Sequence, residues 1–186
     1  MTRPNAEQLI ELLGLEPLPV EGGLFRQTWR SPALMPISMP TSMPTSTPAA
    51  GQPRPLGTAT LAMLTDAADS FSAMHRLPGD EIWHFYLGDP IRILLLHPDG
   101  STERLMLGQD VLGGQRVQAI IPAGVWMGAR LLSGGRYGLF GNTLAPGFME
   151  ADYEGGDSDL ARQYPDAAGA ILDLLRPGAA QRMPDR

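Results

Sequence analysis

The sequence contains no cysteine. Disulfides, thiolate nucleophiles and cysteine-ligated metals are therefore excluded, and the lack of disulfides fits a cytoplasmic location. Histidine is scarce, with three among 186 residues, so imidazole chemistry has few places to occur. No apolar run approaches the ~20 residues of a membrane-spanning helix, and Met1 to Ala6 lacks the apolar stretch of a secretory signal. Net charge is −6 and no basic cluster is present, which argues against nucleic acid as the partner. Helical periodicity is sparse. In its place stand 22 glycines and 18 prolines, which together with short apolar runs predict an all-β chain with many turns. The length suits one domain over residues 1–186 that buries its own core.

Taken in order, Asn5 to Leu15 predicts a short amphipathic helix, with Asn5 as N-cap and Gly14 as stop. Leu24 to Arg30 reads as a strand with Leu24, Arg26, Thr28 and Arg30 on one face. From Met35 to Pro48 a Met-Pro-x-Ser pattern recurs every four residues. Repeated proline removes backbone donors and favours extended conformations, so residues 31–55 are expected to form a Pro/Ser/Met-rich loop insertion within the domain, outside any ladder. Strands follow at Thr58–Thr65, Ile91–His97, Thr102–Leu107, Gln115–Ile121, Val125–Leu132 and Arg136–Leu144, separated by turns such as His97-Pro-Asp-Gly-Ser101. Asp157 or Ser158 caps closing helical segments that end in Ala167–Leu175. Strands in this number with short turns describe a sandwich or barrel.

The stretch from His75 to Gly88 places two imidazoles, two carboxylates and three aromatic rings in fourteen residues. Alternation along Glu81–Leu87 assigns Glu81, Trp83 and Phe85 to one face and Ile82, His84 and Tyr86 to the other. A carboxylate sharing a face with two large rings belongs in a lined pocket, and it needs a polar partner there. His75 is the nearest one, across the Pro78-Gly79 turn.

Two segments resemble the paired motifs of the cupin superfamily. In the first, His75, Glu81 and Gly88 match, and Leu77 replaces a histidine; in the second, Gly114, Pro122 and Gly124 match, and Met127 stands where a histidine is usual. Glu21-Gly-Gly-Leu-Phe-Arg26, Asp80-Glu-Ile-Trp-His-Phe-Tyr86, Pro122-Ala-Gly-Val-Trp126 and Ala145-Pro-Gly-Phe148 are further similar to cupin family 5, a domain of unknown function. The resemblance implies a double-stranded β-helix (an RmlC-like jelly-roll barrel) with short N- and C-terminal helices, and a homodimer. It supplies no reaction.

Three kinds of chemistry follow. With two of the usual metal-ligand positions lost, no metal or other cofactor is expected; a bound metal would fall to His75 and Glu81. A histidine beside a carboxylate suits acid–base work. The fold implied is similar to that of RmlC-like sugar-nucleotide 3,5-epimerases, which use such a dyad with a tyrosine acid, so the resemblance makes His75 and Glu81 the candidate base pair, with Tyr137 (or Tyr86) as acid. Arg26, Thr28 and Arg130 are candidate ligand-binding groups for a carboxylate or phosphate, and Trp83, Phe85 and Trp126 for stacking on a small molecule. The expected function is a metal-independent epimerase or isomerase on a carbohydrate-like or acidic small molecule. A non-catalytic binding module and a metal-dependent cupin enzyme are the alternatives.

Overall fold

The Asn5 side chain accepts from the Gln8 amide at 2.8 Å while Gln8 Oε1 accepts from the Asn5 amide, a reciprocal cap that starts α1, Ala6–Leu13. Gly14 ends it in the left-handed conformation, φ 59°. The structure, a computed structural model, describes residues 3–35 and 52–184.

The strands are β1 (Glu16–Pro17), β2 (Leu24–Arg30), β3 (Leu34–Met35), β4 (Arg54–Pro55), β5 (Thr58–Thr65), β6 (Phe71–Arg76), β7 (Glu81–Gly88), β8 (Ile91–Leu96), β9 (Thr102–Leu107), β10 (Gln118–Ile121), β11 (Trp126–Leu131), β12 (Tyr137–Leu144) and β13 (Glu154–Gly155). Two antiparallel sheets face each other, in the orders β1-β2-β5-β12-β7-β10 and β13-β6-β11-β8-β9. This is an all-β jelly roll. Short helices α2 (Asp159–Gln163) and α3 (Ala168–Leu172) close the chain. The expected last helix is shorter because Pro165 begins a tighter 3₁₀ turn through Ala167 before it. Gln115 leaves the expected β10 because its side chain accepts from the Asp110 amide, folding the preceding turn.

Inward-facing Trp83, Phe85, Ile93, Leu95, Leu105, Met127 and Phe140 form the core between the sheets. Outside the six-stranded sheet, Leu9 and Leu15 of the α1 region cover Met63, Tyr137 and Leu139. Outside the other sheet, Leu160, Tyr164 and Ile171 of the closing helical segment cover Phe71, Leu94 and Leu96. Gly88 joins β7 to β8 at φ 114°, where an added Cβ would lie 2.4 Å from the Tyr137 carbonyl oxygen; only glycine fits.

The segment 31–55 departs from the expectation at its ends. Leu34–Met35 pairs with Arg54–Pro55, because Pro55 lacks only the donor: its carbonyl still accepts, from the Gly147 amide at 2.9 Å. Residues 36–51, which carry most of the Met-Pro repeat, lie outside the described residues.

Candidate functional site

Side-chain alternation builds one wall of a cavity of about 420 Å³ that opens between the sheets. On β7, Glu81, Trp83 and Phe85 are buried, while Ile82 and His84 lie half-buried on the opposite face. On β12, the inward parity brings Phe140, Asn142 and Leu144 to the same cavity. Glu81 is 6 % exposed. Its Oε2 accepts from Trp83 Nε1 at 2.9 Å, and Trp83 is itself clamped against Phe140, rings stacked at 4.6 Å. Burial pushes the Glu81 carboxyl up from its ordinary value to about 7; Glu21's charge adds to the rise, while His75, Trp83 and Asn142 oppose it.

His75, 2 % exposed near the end of β6, also faces the cavity. Its Nδ1 lies 2.8 Å from the Ala73 carbonyl oxygen. A carbonyl only accepts, so Nδ1 carries the proton; in the neutral ring Nε2 is the free acceptor. That Nε2 faces Oε2 of Glu21 at 3.9 Å, beyond a direct hydrogen bond but within strong electrostatic reach. Tyr153 stacks on the imidazole at 5.2 Å. Burial and the Glu21 charge raise the Tyr153 hydroxyl far above its ordinary pKa, so it stays a neutral phenol.

Glu21 comes from a loop rather than a strand. Leu18 and Gly22 amides bond to the Gly23 and Leu18 carbonyls, closing a tight turn. The turn holds Val20 at φ 67° and Gly22 at φ 98°. A β-branched residue in the left-handed region is strained, typically by ~1–3 kcal/mol. The surroundings hold the strain in place: Glu21 O accepts from the Ala73 amide at 2.9 Å and from Arg176 Nε at 3.2 Å. Ser72 Oγ donates to Glu21 Oε1 at 2.8 Å, leaving Oε2 toward His75. The cavity rim adds Glu16, Glu150 and Arg26.

The structure thus brings together His75, Glu81 and Arg26 of the expected site residues, with Trp83 behind Glu81. Phe85 lies in the core beside them without lining the cavity. The others are elsewhere. Thr28 sits at an irregularity of the β2–β5 pairing between Gln27 and Trp29, and its Oγ1 donates to the Ala59 carbonyl. Trp126 and Arg130 lie outside the five-stranded sheet, because Met127, Ala129 and Leu131 take the inward parity of β11. Trp126 instead carries the Arg76 guanidinium 4.6 Å above its ring. Tyr137 faces outward under α1, where its hydroxyl donates to the Pro4 carbonyl at 2.9 Å and accepts from Arg3 Nε. Tyr86 is exposed. Tyr137→Phe is accordingly expected to cost about 1 kcal/mol of stability by losing these bonds, while ligand binding in the cavity is unchanged. Paired denaturation and binding titrations check it. The residues that sequence reasoning missed are Glu21, Asn142 and Tyr153. Asn142 carried a signal, being two residues from Phe140 on a strand, and Glu21 opens the Glu21–Arg26 block that resembles cupin family 5; Tyr153 had neither.

A family model described as cupin superfamily (DUF985) matches residues 7–155. The chain belongs to this cupin family. A Shewanella oneidensis protein of known crystal structure is 30% identical, with a TM-score of 0.79 over 94% of this chain and 99% of that one. A hypothetical protein from Leishmania major is 26% identical, TM-score 0.78, over 92% and 99% of the two chains. A cupin 2 conserved barrel domain protein from Rhodopseudomonas palustris shares the fold alone, at 11% identity and TM-score 0.52 over 94% and 87%. No curated protein matches the sequence.

Cupins often hold a metal at the positions of the two motifs. A catalytic metal requires about three protein ligands and an open position. In this cupin Leu77 lines the cavity and Met127 is buried. Among the described residues no three His, Asp or Glu side chains are placed to hold a metal ion. The donor set does not fit a metal.

Proposed function

We propose that this cupin binds a hydroxyl-rich, carbohydrate-like small molecule between its sheets and moves a proton on it without a metal, as an epimerase or isomerase does. The observation that carries this reading is the meeting of a neutral-capable carboxyl, Glu81, with the free Nε2 of His75 in one cavity. Four glutamates (Glu16, Glu21, Glu81 and Glu150) line that cavity against Arg26 and His75. This balance disfavours an acidic ligand and suits hydroxyl donors, each of which can bond to a carboxylate.

His75 Nε2 takes the proton from a carbon next to a carbonyl. The electron pair moves onto the carbonyl oxygen, where the Glu81 O–H donates a hydrogen bond, as buried neutral carboxylic acids do. Return of the proton by His75 to the neighbouring carbon, as the hydroxyl proton on that carbon passes to the first oxygen by way of Glu81, completes isomerisation; delivery of a solvent proton to the opposite face of the original carbon completes epimerisation. Glu21 stabilises the imidazolium in between, at 3.9 Å. Because Glu81 must be protonated and its pKa is about 7, activity is expected to fall as pH rises through 7, and that limb disappears in Glu81→Gln.

The test is solvent exchange: aldoses, ketoses and their phosphates incubated with the protein in D₂O, with C–H loss followed by proton NMR. Exchange that is lost in His75→Ala supports the reading. Ligand binding without exchange in any member of the panel overturns it in favour of a binding module. A homodimer belongs to the same reading, and light scattering on the eluting protein measures it.

A further inference from the structure

On β8, β9 and β11 the outward parity puts three arginines side by side. Arg92 and Arg130 are direct cross-strand partners, and Arg104 is opposite Leu94, the next outward residue of β8. With α3 they border a cleft of about 540 Å³, lined also by Ala170, Asp173 and Leu174. The cleft lies outside the five-stranded sheet, so the core layer of Ile93, Leu105 and Ala129 separates it from the His75 cavity.

Like charges directly opposite on a sheet are destabilising, and a carboxylate neighbour is the usual remedy. Here Asp173 lines the cleft without forming an ion pair with any of the three. Among the described residues, none of the three forms an ion pair with a carboxylate. Arg130 is held by backbone instead: Nη2 donates to Asp173 O at 2.8 Å and Nη1 to Ala68 O at 3.2 Å, with the guanidinium 4.4 Å above the Phe71 ring. That fixes one fork in the cleft wall while leaving its charge uncompensated. Arg92 and Arg104 are exposed, and their side chains engage no partner among the described residues. The Asp173 carboxylate is the one acidic group in the lining, so the cleft keeps a net positive charge within a chain of net charge −6.

We propose that this cleft is a binding site for a small, multiply charged oxyanion, a phosphate- or polycarboxylate-bearing molecule. Guanidinium forks match both geometries in bidentate fashion. A cleft of this size admits a small molecule, and an anion between Arg92, Arg104 and Arg130 removes the repulsion the sheet otherwise carries.

The experiment titrates inorganic diphosphate and citrate into the full-length protein by calorimetry, at ionic strength held constant with sodium chloride. Saturable binding of either is expected at one site per chain, and the tighter of the two identifies the anion class. Arg92→Gln and Arg104→Gln should each weaken it about tenfold or more. In the absence of anion, their melting temperatures should equal or exceed the parent's, since the like-charge contact is relieved. Failure of both anions to saturate at millimolar concentration overturns the proposal, as does undiminished binding to the Arg92→Gln/Arg104→Gln double variant. Loss of binding in Arg26→Gln overturns it too, because the anion would then occupy the cavity between the sheets.

Discussion

Glu81→Gln is expected to stabilise the protein above neutral pH and to slow its proton transfer by ~10²-fold or more. The carboxyl's pKa is about 7 in the fold against an ordinary value of 4.5. The folded state therefore favours the protonated form. Its contribution is fully present below pH 4.5, declines as pH rises, and is lost once pH passes 7. A difference of this size corresponds to up to about 3 kcal/mol of destabilisation at pH 8. Glutamine keeps an oxygen for Trp83 Nε1 and carries no charge, so the variant should unfold at higher denaturant than the parent at pH 8 and at the same denaturant near pH 4. Urea melts at the two pH values measure this. On the proposed function, the same variant loses the O–H that stabilises the developing oxyanion, and exchange should fall ~10²-fold or more. Greater stability with lost activity is the signature expected of a strained functional carboxyl. A variant that is less stable at pH 8 would show that Glu81 is a structural anion.

The second large effect concerns Arg54 and Asp152, which are 4 % and 3 % exposed. Arg54 Nη2 donates to Asp152 Oδ1 at 2.8 Å, and its Nη1 reaches Asp152 Oδ2 and the Gly147 carbonyl. The Met149 amide donates to the same carboxylate at 3.1 Å. The pair thus ties the end of the 31–55 segment to the 147–152 segment, which brings Phe148 and Glu150 to the cavity rim. Removing one partner leaves a buried charge unpaired, at a typical cost of 3–5 kcal/mol. For Arg54→Met or Asp152→Leu, a fall of roughly 10 °C in Tm is expected. The double variant should recover much of it, since neither charge is then stranded. Each single variant should also weaken binding in the cavity by loosening its rim. Scanning calorimetry of the three proteins decides this; additive losses would mean the two residues act separately.

Residue pattern made a large part of the fold legible. Asn5 and Gly14 bound α1 because both act through their own backbone neighbours. Leu24–Arg30, Thr58–Thr65 and Thr102–Leu107 are strands with the expected limits, since turn-formers flank each. The inward face of β7 was legible for a different reason: only one parity gathers Trp83 and Phe85, and their burial carries Glu81 with them. The first cupin motif likewise marked His75 and Glu81.

Parity across sheets is where the pattern stops. In β11 Trp126 and Met127 are both apolar, so composition alone favours neither face. Pairing with β8 and β6 turns Met127 inward and sends Trp126 and Arg130 outside. Tyr137 follows the same rule on β12, where Asn142 inherits the cavity instead. Local chemistry, namely capping, turns and alternation within one strand, acts between residues a few positions apart, and sequence by itself determined it. Glu21, His75 and Glu81 meet only because a strained loop, β6 and β7 converge in space. That convergence, the raised pKa of Glu81, the burial of Arg54 against Asp152 and the arginine cleft all depend on contacts between residues distant along the chain, which only the tertiary structure decides.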